Sequence, residues 1–197
     1  MKILVINGSY RAGGVTDQVL GEMEKSLKKA GVEVENVILR DYPIEFCLNC
    51  RVCNQQPGDV PAECVQDDGM KGLIDKIENS DGYILASPTN FAAVTAIFKR
   101  FMERLAVYAY WPWDIKSPQY RKEKRQKKKA VLVSSCAAPG FMGSLMFNTL
   151  KDLKSTAKVI GAEHVGTIFT GLVAGSPNHK ISEKVKAKAK DQAAKLV

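Results

Sequence analysis

The sequence predicts an α/β protein with a doubly wound, five-stranded parallel sheet, and three observations carry that expectation. Short apolar runs alternate with helix-period patterns five times along the chain. The first run passes directly into the glycine-rich loop Asn7-Gly8-Ser9-Tyr10-Arg11-Ala12-Gly13-Gly14-Val15-Thr16 and then into a helical pattern. The length of 197 residues suits one such unit with an ample core. Strands joined in this way by right-handed crossovers are expected in the order 2-1-3-4-5.

Taken in order, the first strand is Lys2–Asn7, an apolar run rich in β-branched residues. Val15–Ala30 is helical: Val15, Val19, Leu20, Met23 and Leu27 form one stripe, and Ala30-Gly31 stops it. Val32–Leu39 supplies the second strand. Residues 40–66 form a long irregular segment broken by Pro43, Pro57 and Pro61. Asp68–Asn79 is a short helix with Met70, Leu73, Ile74 and Ile77 inward, and Gly82–Ala86 is the third strand. A helix over Ala92–Tyr108, a fourth strand over Ala130–Ser134 and a helix over Leu145–Ile160, ended by Gly161, follow. His164–Thr170 is the fifth strand, and Ile181–Leu196 is a lysine-rich last helix. No repeat or low-complexity tract interrupts the pattern, so residues 1–197 are expected to form a single domain.

Composition narrows the function classes. An apolar fraction of 45% and a charged fraction of 25% are ordinary for a globular chain. No apolar run approaches the roughly 18 residues of a membrane span. Asn7-Gly8-Ser9 interrupts the first apolar run too early for a signal peptide, so a cytoplasmic location is expected. Four of the five cysteines lie between Cys47 and Cys64. In a reducing compartment that pattern points to reactive thiols or a metal site rather than a disulfide framework.

Parallel sheets bind ligands beyond the carboxyl ends of their strands, at the point where the strand order reverses. Here that point lies between the first and third strands, which singles out residues 7–16 and 87–94, with the loop after the fourth strand alongside. In the first loop, glycines let backbone N–H groups converge, hydroxyls add donors and the helix dipole favours an anion. The loop has no Gly-Lys-Ser/Thr and no G-x-G-x-x-G pattern, so a triphosphate or a dinucleotide pyrophosphate is disfavoured. Ser9, Arg11 and Thr16 suit one terminal phosphate monoester, with Arg11 supplying charge and a bidentate fork. The plain alternative is a tight strand–helix turn with polar caps.

The second loop, Ser87-Pro88-Thr89-Asn90-Phe91, runs on as AAVTAIFKRFMER. Together, NGSYRAGGVT and SPTNFAAVTAIFKRFMER resemble the NADPH-dependent FMN reductase family, which has the flavodoxin-like fold. The resemblance implies an FMN-binding oxidoreductase that moves electrons from NAD(P)H, through non-covalent FMN, to a quinone, a flavin or a metal ion. It implies that Ser9, Arg11, Gly14, Val15 and Thr16 hold the FMN phosphate. It also places Pro88, Thr89, Asn90 and Phe91 against the isoalloxazine ring, with Pro88 restricting the loop and the exposed backbone N–H groups beyond it available to flavin N5, O4 and N3. By topology, Ser135, Cys136 and Ala137 edge the same crevice. For Phe91, plain core packing is an equal alternative. For Cys136, a buried small hydrophobe is the better reading than a redox thiol. The cofactor carries the chemistry, so no catalytic acid or base is assigned.

Cys47-Leu48-Asn49-Cys50-Arg51-Val52-Cys53 reads C-x2-C-x2-C, and Cys64 follows after ten residues. Four thiolates at this spacing suit a [4Fe–4S] cluster, and the segment is similar to the cysteine motif of the iron–sulfur flavoproteins, whose last gap is normally shorter. Cluster-free members of the reductase family share a Cys-x-x-Asp-Asp-x-Met continuation, which here is Cys64-Val65-Gln66-Asp67-Asp68-Gly69-Met70. Cluster-free thiols with no metal are therefore expected. The alternative is a cluster on Cys47, Cys50, Cys53 and Cys64, in an electron carrier fed by a ferredoxin-like protein. Zinc is the least favoured occupant, and a thiol-based redox sensor is a third reading.

The net charge of +8 is local: Arg121–Lys129 holds seven basic residues and one acidic, a balance of +6. Such a run is most often a solvated connection; its functional alternative is attraction of the NADPH 2′-phosphate or another acidic partner. No nucleic-acid recognition motif stands beside it, so no nucleic-acid partner is expected. The aromatic stretch Tyr108-Ala109-Tyr110-Trp111-Pro112-Trp113 suits a flavin cover, a substrate pocket or a subunit face. The resemblance favours the last two, in a homodimer or tetramer. His164 and His179 have no partner pattern and receive no role.

Overall fold

The computed structural model describes residues 1–123, 127–176 and 178–197. Its centre is β1 (Lys2–Asn7), with β2 (Glu33–Ile38) on one side and β3 (Gly82–Ala86), β6 (Lys128–Ser135) and β7 (Ala162–Thr170) on the other. All neighbours in the order β2-β1-β3-β6-β7 run parallel, in the arrangement expected from the alternation. A second, two-stranded antiparallel sheet pairs β4 (Ala109–Tyr110) with β5 (Gln119–Tyr120).

The inner strands β1, β3 and β6 are buried on both faces over most of their length, which is why they read as continuous apolar runs. Side chains still alternate. Leu4 and Ile6 of β1 join Leu85 and Leu132 in one core, while Ile3 and Val5 join Ile84 and Val131 in the other. The first core packs under α3 (Met70–Glu78), α4 (Ala96–Arg104) and α6 (Thr149–Val159). The second lies under α1 (Val15–Lys29) and α7 (Glu183–Ala194), which also contact each other. Lys122 pairs with Glu78, and Lys128 Nζ donates to the carbonyls of Ile77 (3.2 Å) and Glu78 (2.8 Å), so two lysines close the carboxyl end of α3.

Three elements differ from the periodic reading. The helix expected from Ala92 begins at Ala96, where the Thr95 hydroxyl caps it by accepting the Phe98 N–H at 3.3 Å. The helix expected over Leu145–Ile160 is two helices, α5 (Gly140–Met146) and α6, because the Asn148 N–H leaves the helical ladder to donate to Ala92 O at 2.7 Å. The segment after β2 contains a 3-10 turn, Leu39–Asp41, and a short α-helix, α2 (Val52–Gln55). Among the described residues, no helix is long and apolar enough to cross a membrane.

Candidate functional site

The carboxyl ends of β1, β3 and β6 deliver three loops to one edge, and hydrogen bonds join them. Gly8 N–H donates to Ala86 O at 2.8 Å, and the Thr95 hydroxyl donates to Gly8 O at 2.7 Å. Gly8 is required by this approach: a Cβ there would stand 2.8 Å from Phe98 Cδ2 and 3.2 Å from Ala86 O. Ser135 ties the third loop to the other two, since its hydroxyl lies 3.3 Å from Thr16 Oγ1 and its carbonyl accepts Thr89 N–H at 2.8 Å.

Within the first loop, Ser9 is buried; its N–H donates to Asn7 Oδ1 at 2.9 Å, and its hydroxyl accepts Arg11 N–H at 3.3 Å. Gly14 is the N-cap of α1, and no side chain caps that helix. The first-turn N–H groups, from Val15 onward, therefore have no intrahelical acceptor and no side-chain substitute. Arg11 is exposed, and among the described residues its guanidinium has no protein partner. Uncommitted amides, a helix N-terminus and a free guanidinium form a donor set that fits a phosphate monoester.

The second loop corrects two expectations. Phe91 is fully exposed at 108% relative accessibility, so it is not a core residue. Asn90 and Ala93 exchange two backbone bonds of 2.9 and 3.0 Å, closing a tight turn with Phe91 (φ 48°) and Ala92 (φ 61°) at its tip. That turn takes the Asn90 N–H, and Ser135 takes the Thr89 N–H, so neither amide is available to a flavin. The amides at the exposed tip, Phe91 and Ala92, have no intramolecular acceptor among the described residues. Two successive non-glycine residues in the left-handed region are costly, and such strain concentrates at ligand sites. Pro88 is half-buried below the turn. In the third loop Cys136 is 3% exposed, its thiol donates to Ala138 O at 3.2 Å, and burial pushes its pKa up, while Ala137 faces solvent.

Sequence reasoning missed the residues that brace these loops. The Asp17 carboxylate accepts from Asn7 Nδ2 at 2.8 Å and Gly13 N–H at 2.9 Å. Arg40, from the end of β2, donates to Ser9 O at 3.1 Å. Asp17, in the first turn after Gly13-Gly14, and Thr95, as an N-cap type, carried readable signals; Arg40 carried none.

The four clustered cysteines line a cavity of about 30 Å³ together with Arg51. Burial raises the Cys53 thiol pKa, and the proximity of Cys64, Cys47 and Cys50 raises it further. Among the described residues, no three His, Cys, Asp or Glu side chains form a group that could hold a metal ion. The donor set and the positive charge of Arg51 suit an anionic, sulfur-ligated group. Leu48 and Cys50 in the turn face solvent.

Three arginines fix the cysteine segment. The Arg51 guanidinium stacks on Trp111 and Trp113 with centroid distances of 4.3 and 4.0 Å, which gives the aromatic stretch a place beside the cysteines. Arg104 binds Asp68 through two N–H···O bonds of 2.5 and 3.0 Å. Arg121, 7% exposed, donates to the carbonyls of Cys53, Gln56, Gly58, Val107 and Ala109. The basic run is thus not a purely solvated connection: Arg121 is a buried clamp, and Lys122 is also buried. Residues 124–126 of that run lie outside the described residues.

A five-stranded parallel sheet in this order, with an anion-ready loop at its switch point, defines a flavodoxin-like α/β protein. The chain belongs to the NADPH-dependent FMN reductase family, whose profile matches residues 1–171. It is similar to an iron-sulfur flavoprotein of Archaeoglobus fulgidus, with 38% identity over 112 residues, 57% of this chain and 49% of that protein. It is also similar to YwqN of Bacillus subtilis, whose name marks it provisionally as an NAD(P)H-dependent FMN-containing oxidoreductase, with 32% identity over 64% of this chain and 60% of that one. The chain spans about half the length of the first curated relatives it matches. Among solved structures, an azoreductase from Bacillus anthracis superposes with a TM-score of 0.68 at 15% identity, covering 100% of this chain and 98% of that one; this likeness concerns the fold alone.

Proposed function

We propose that this protein, as a single flavodoxin-like domain, is an FMN-binding oxidoreductase that moves electrons from NAD(P)H to a small acceptor, a quinone, a free flavin or a metal ion. The observation that carries the reading is the convergence at one sheet edge of the uncapped α1 N-terminus and Arg11, which has no partner among the described residues, with the strained 90–93 turn. Ser9, Arg11, Gly14, Val15 and Thr16 would hold the phosphate. The Phe91 and Ala92 amides would meet the ring edge, and Ser135, Cys136 and Ala137 would border it. When bound, FMN supplies the hydride and electron chemistry. The chain's own residues orient it and keep water from one face, so no acid or base is assigned. The exposed apolar residues Phe141, Leu145, Met146 and Leu172 beside the edge support a second copy as cover, in a homodimer or tetramer. The reading fits a cytoplasmic enzyme with no nucleic-acid partner.

The test is steady-state oxidation of NADH and NADPH by the purified protein with FMN. Turnover of either supports the reading, and inertness to both sinks it. Arg11→Ala is expected to weaken FMN binding at least tenfold, from loss of a charge-assisted bond worth about 1.5–3 kcal/mol, and to leave riboflavin binding unchanged. Equal FMN affinity in that variant counts against the phosphate site.

A second reading is favoured by one observation, the shared cavity of Cys47, Cys50, Cys53 and Cys64. It is an iron–sulfur flavoprotein-type carrier that receives electrons from a ferredoxin-like protein. Iron and sulfide in protein purified without oxygen support it; their absence, with flavin present, leaves the reductase reading alone.

A further inference from the structure

Ten residues separate Cys64 from the compact cysteine turn, yet it lines the same cavity. The link runs through a residue 40 positions further on: Arg104 Nη2 donates to Cys64 Sγ at 3.5 Å. Arg104 is 2% exposed. Its Nη1 donates to Asp68 Oδ2 at 2.5 Å and to Glu45 O at 2.9 Å, and its Nη2 also donates to Asp68 Oδ1 at 3.0 Å. Asp68 is fixed in turn by the N–H groups of Glu45 (2.8 Å) and Met70 (2.9 Å). One guanidinium therefore joins the segment before the cysteine turn, the start of α3 and the fourth sulfur.

We propose that Arg104, locked by Asp68, is the positioning residue that docks the Cys64 sulfur into the cavity of Cys47, Cys50 and Cys53 and donates an N–H to it. One feature separates this from simple anchoring, and it is not the buried Nε, which has no partner among the described residues in Arg51 and Arg100 as well as in Arg104. One of the remaining N–H groups is spent on sulfur, which is a weak acceptor as a neutral thiol and a stronger one when ionised or bound to metal. Lysine cannot reproduce the geometry, because the planar fork makes the carboxylate and sulfur bonds together. The arrangement also accounts for the second aspartate of the Cys-x-x-Asp-Asp motif: Asp68 holds the arginine, whereas Asp67 is exposed.

The inference concerns the sulfurs and holds with or without a cluster, so its test follows what the purified protein contains. Wild type, Arg104→Lys and Asp68→Glu are purified anaerobically, and folding is checked by circular dichroism. If iron and sulfide are present, both variants at equal loading are expected to have a more negative cluster midpoint potential, because hydrogen bonds to cluster sulfurs help set that potential. An unchanged potential in both overturns the proposal. If iron is absent, the reduced protein is treated with diamide. Two thiols lose two protons and two electrons to its N=N bond, forming one disulfide and one hydrazine, and the linked peptides are mapped by mass spectrometry. Wild type is expected to link Cys64 to a cysteine of the 47–53 turn, and the yield is expected to fall at least fivefold in the variants relative to links within the turn. Equal yields, or no Cys64 link in wild type, overturn the proposal. Iron content alone decides the cluster reading, so the two ideas fail separately.

Discussion

The sheet edge and the cysteine segment both carry polar loops, but they are built in opposite ways. At the edge, small residues and backbone groups make the structure: Gly8, Ser9, Thr95 and Ser135 bond to neighbours that the strands have already brought within reach. In the cysteine segment, long side chains do the work. Arg51, Arg104 and Arg121 come from three parts of the chain and reach carbonyls, indoles, a carboxylate and a sulfur. The first design leaves donors uncommitted for a ligand. The second spends its arginines on holding the loop, and the sulfurs are what it presents.

The largest expected effect tests whether the arginines really hold that segment. Arg121→Met removes bonds to five carbonyls in a buried site. Val107 O keeps the Ala62 N–H and Ala109 O keeps Asn54 Nδ2, whereas the carbonyls of Cys53, Gln56 and Gly58 lose the arginine donor, at about 1–3 kcal/mol for each group left unsatisfied. With partial relaxation we expect about 4 kcal/mol of destabilisation in urea unfolding, with FMN affinity per folded molecule nearly unchanged. A loss below about 0.5 kcal/mol, the usual scale of a surface substitution, would mean that the segment holds itself.

A smaller effect separates charge from shape. Burial opposes ionisation of Asp68, but the Arg104 fork and the Glu45 and Met70 amides outweigh it and hold the carboxyl below the usual range. A depressed native pKa contributes stability that is fully present above the ordinary value of about 3.9 and is lost as pH falls through the native value. Asp68→Asn leaves Arg104 buried without its counter-charge, so it is expected to cost about 3 kcal/mol at pH 7. That deficit shrinks below about pH 4, as the wild-type carboxyl itself becomes protonated. Unfolding measured at pH 7 and near pH 3 checks this, and a deficit that stays constant would show that the amide shape, not the charge, sets the difference.

What the sequence disclosed follows the same division. The sheet order and the first loop were legible because they depend on local period and on residues adjacent in the chain. The break between α5 and α6 was not, because one bond from Asn148 to Ala92 marks it, across a separation no periodicity reports, whereas the start of α4 was signalled only by Thr95 as an N-cap type. The cysteines were visible as a cluster. Their setting was not, since Arg121 reads as part of a solvated basic run and Arg104 carries no signal of its own until the fold brings them beside Cys53 and Cys64.

The smallest expected effect bears on the edge alone. Phe91 and Ala92 have φ values of 48° and 61°, where an L-residue loses about 1–2 kcal/mol. Ala92→Gly removes that cost at one position and adds unfolded-state entropy worth about 0.5–1 kcal/mol. The net is a stabilisation of about 0.5–1 kcal/mol, or roughly 1–4 °C in the melting temperature of a chain this size. Ala92 O keeps its bond from Asn148, so the loop itself survives. If the strain preorganises the turn for the flavin, the same variant binds FMN no better, and more weakly where glycine lets the tip wander. Higher stability with equal or lower affinity is the expected pair of results. A fall in melting temperature would mean that the tip is not left-handed, and the contrast between a strained edge and a braced cysteine segment would lose its first half.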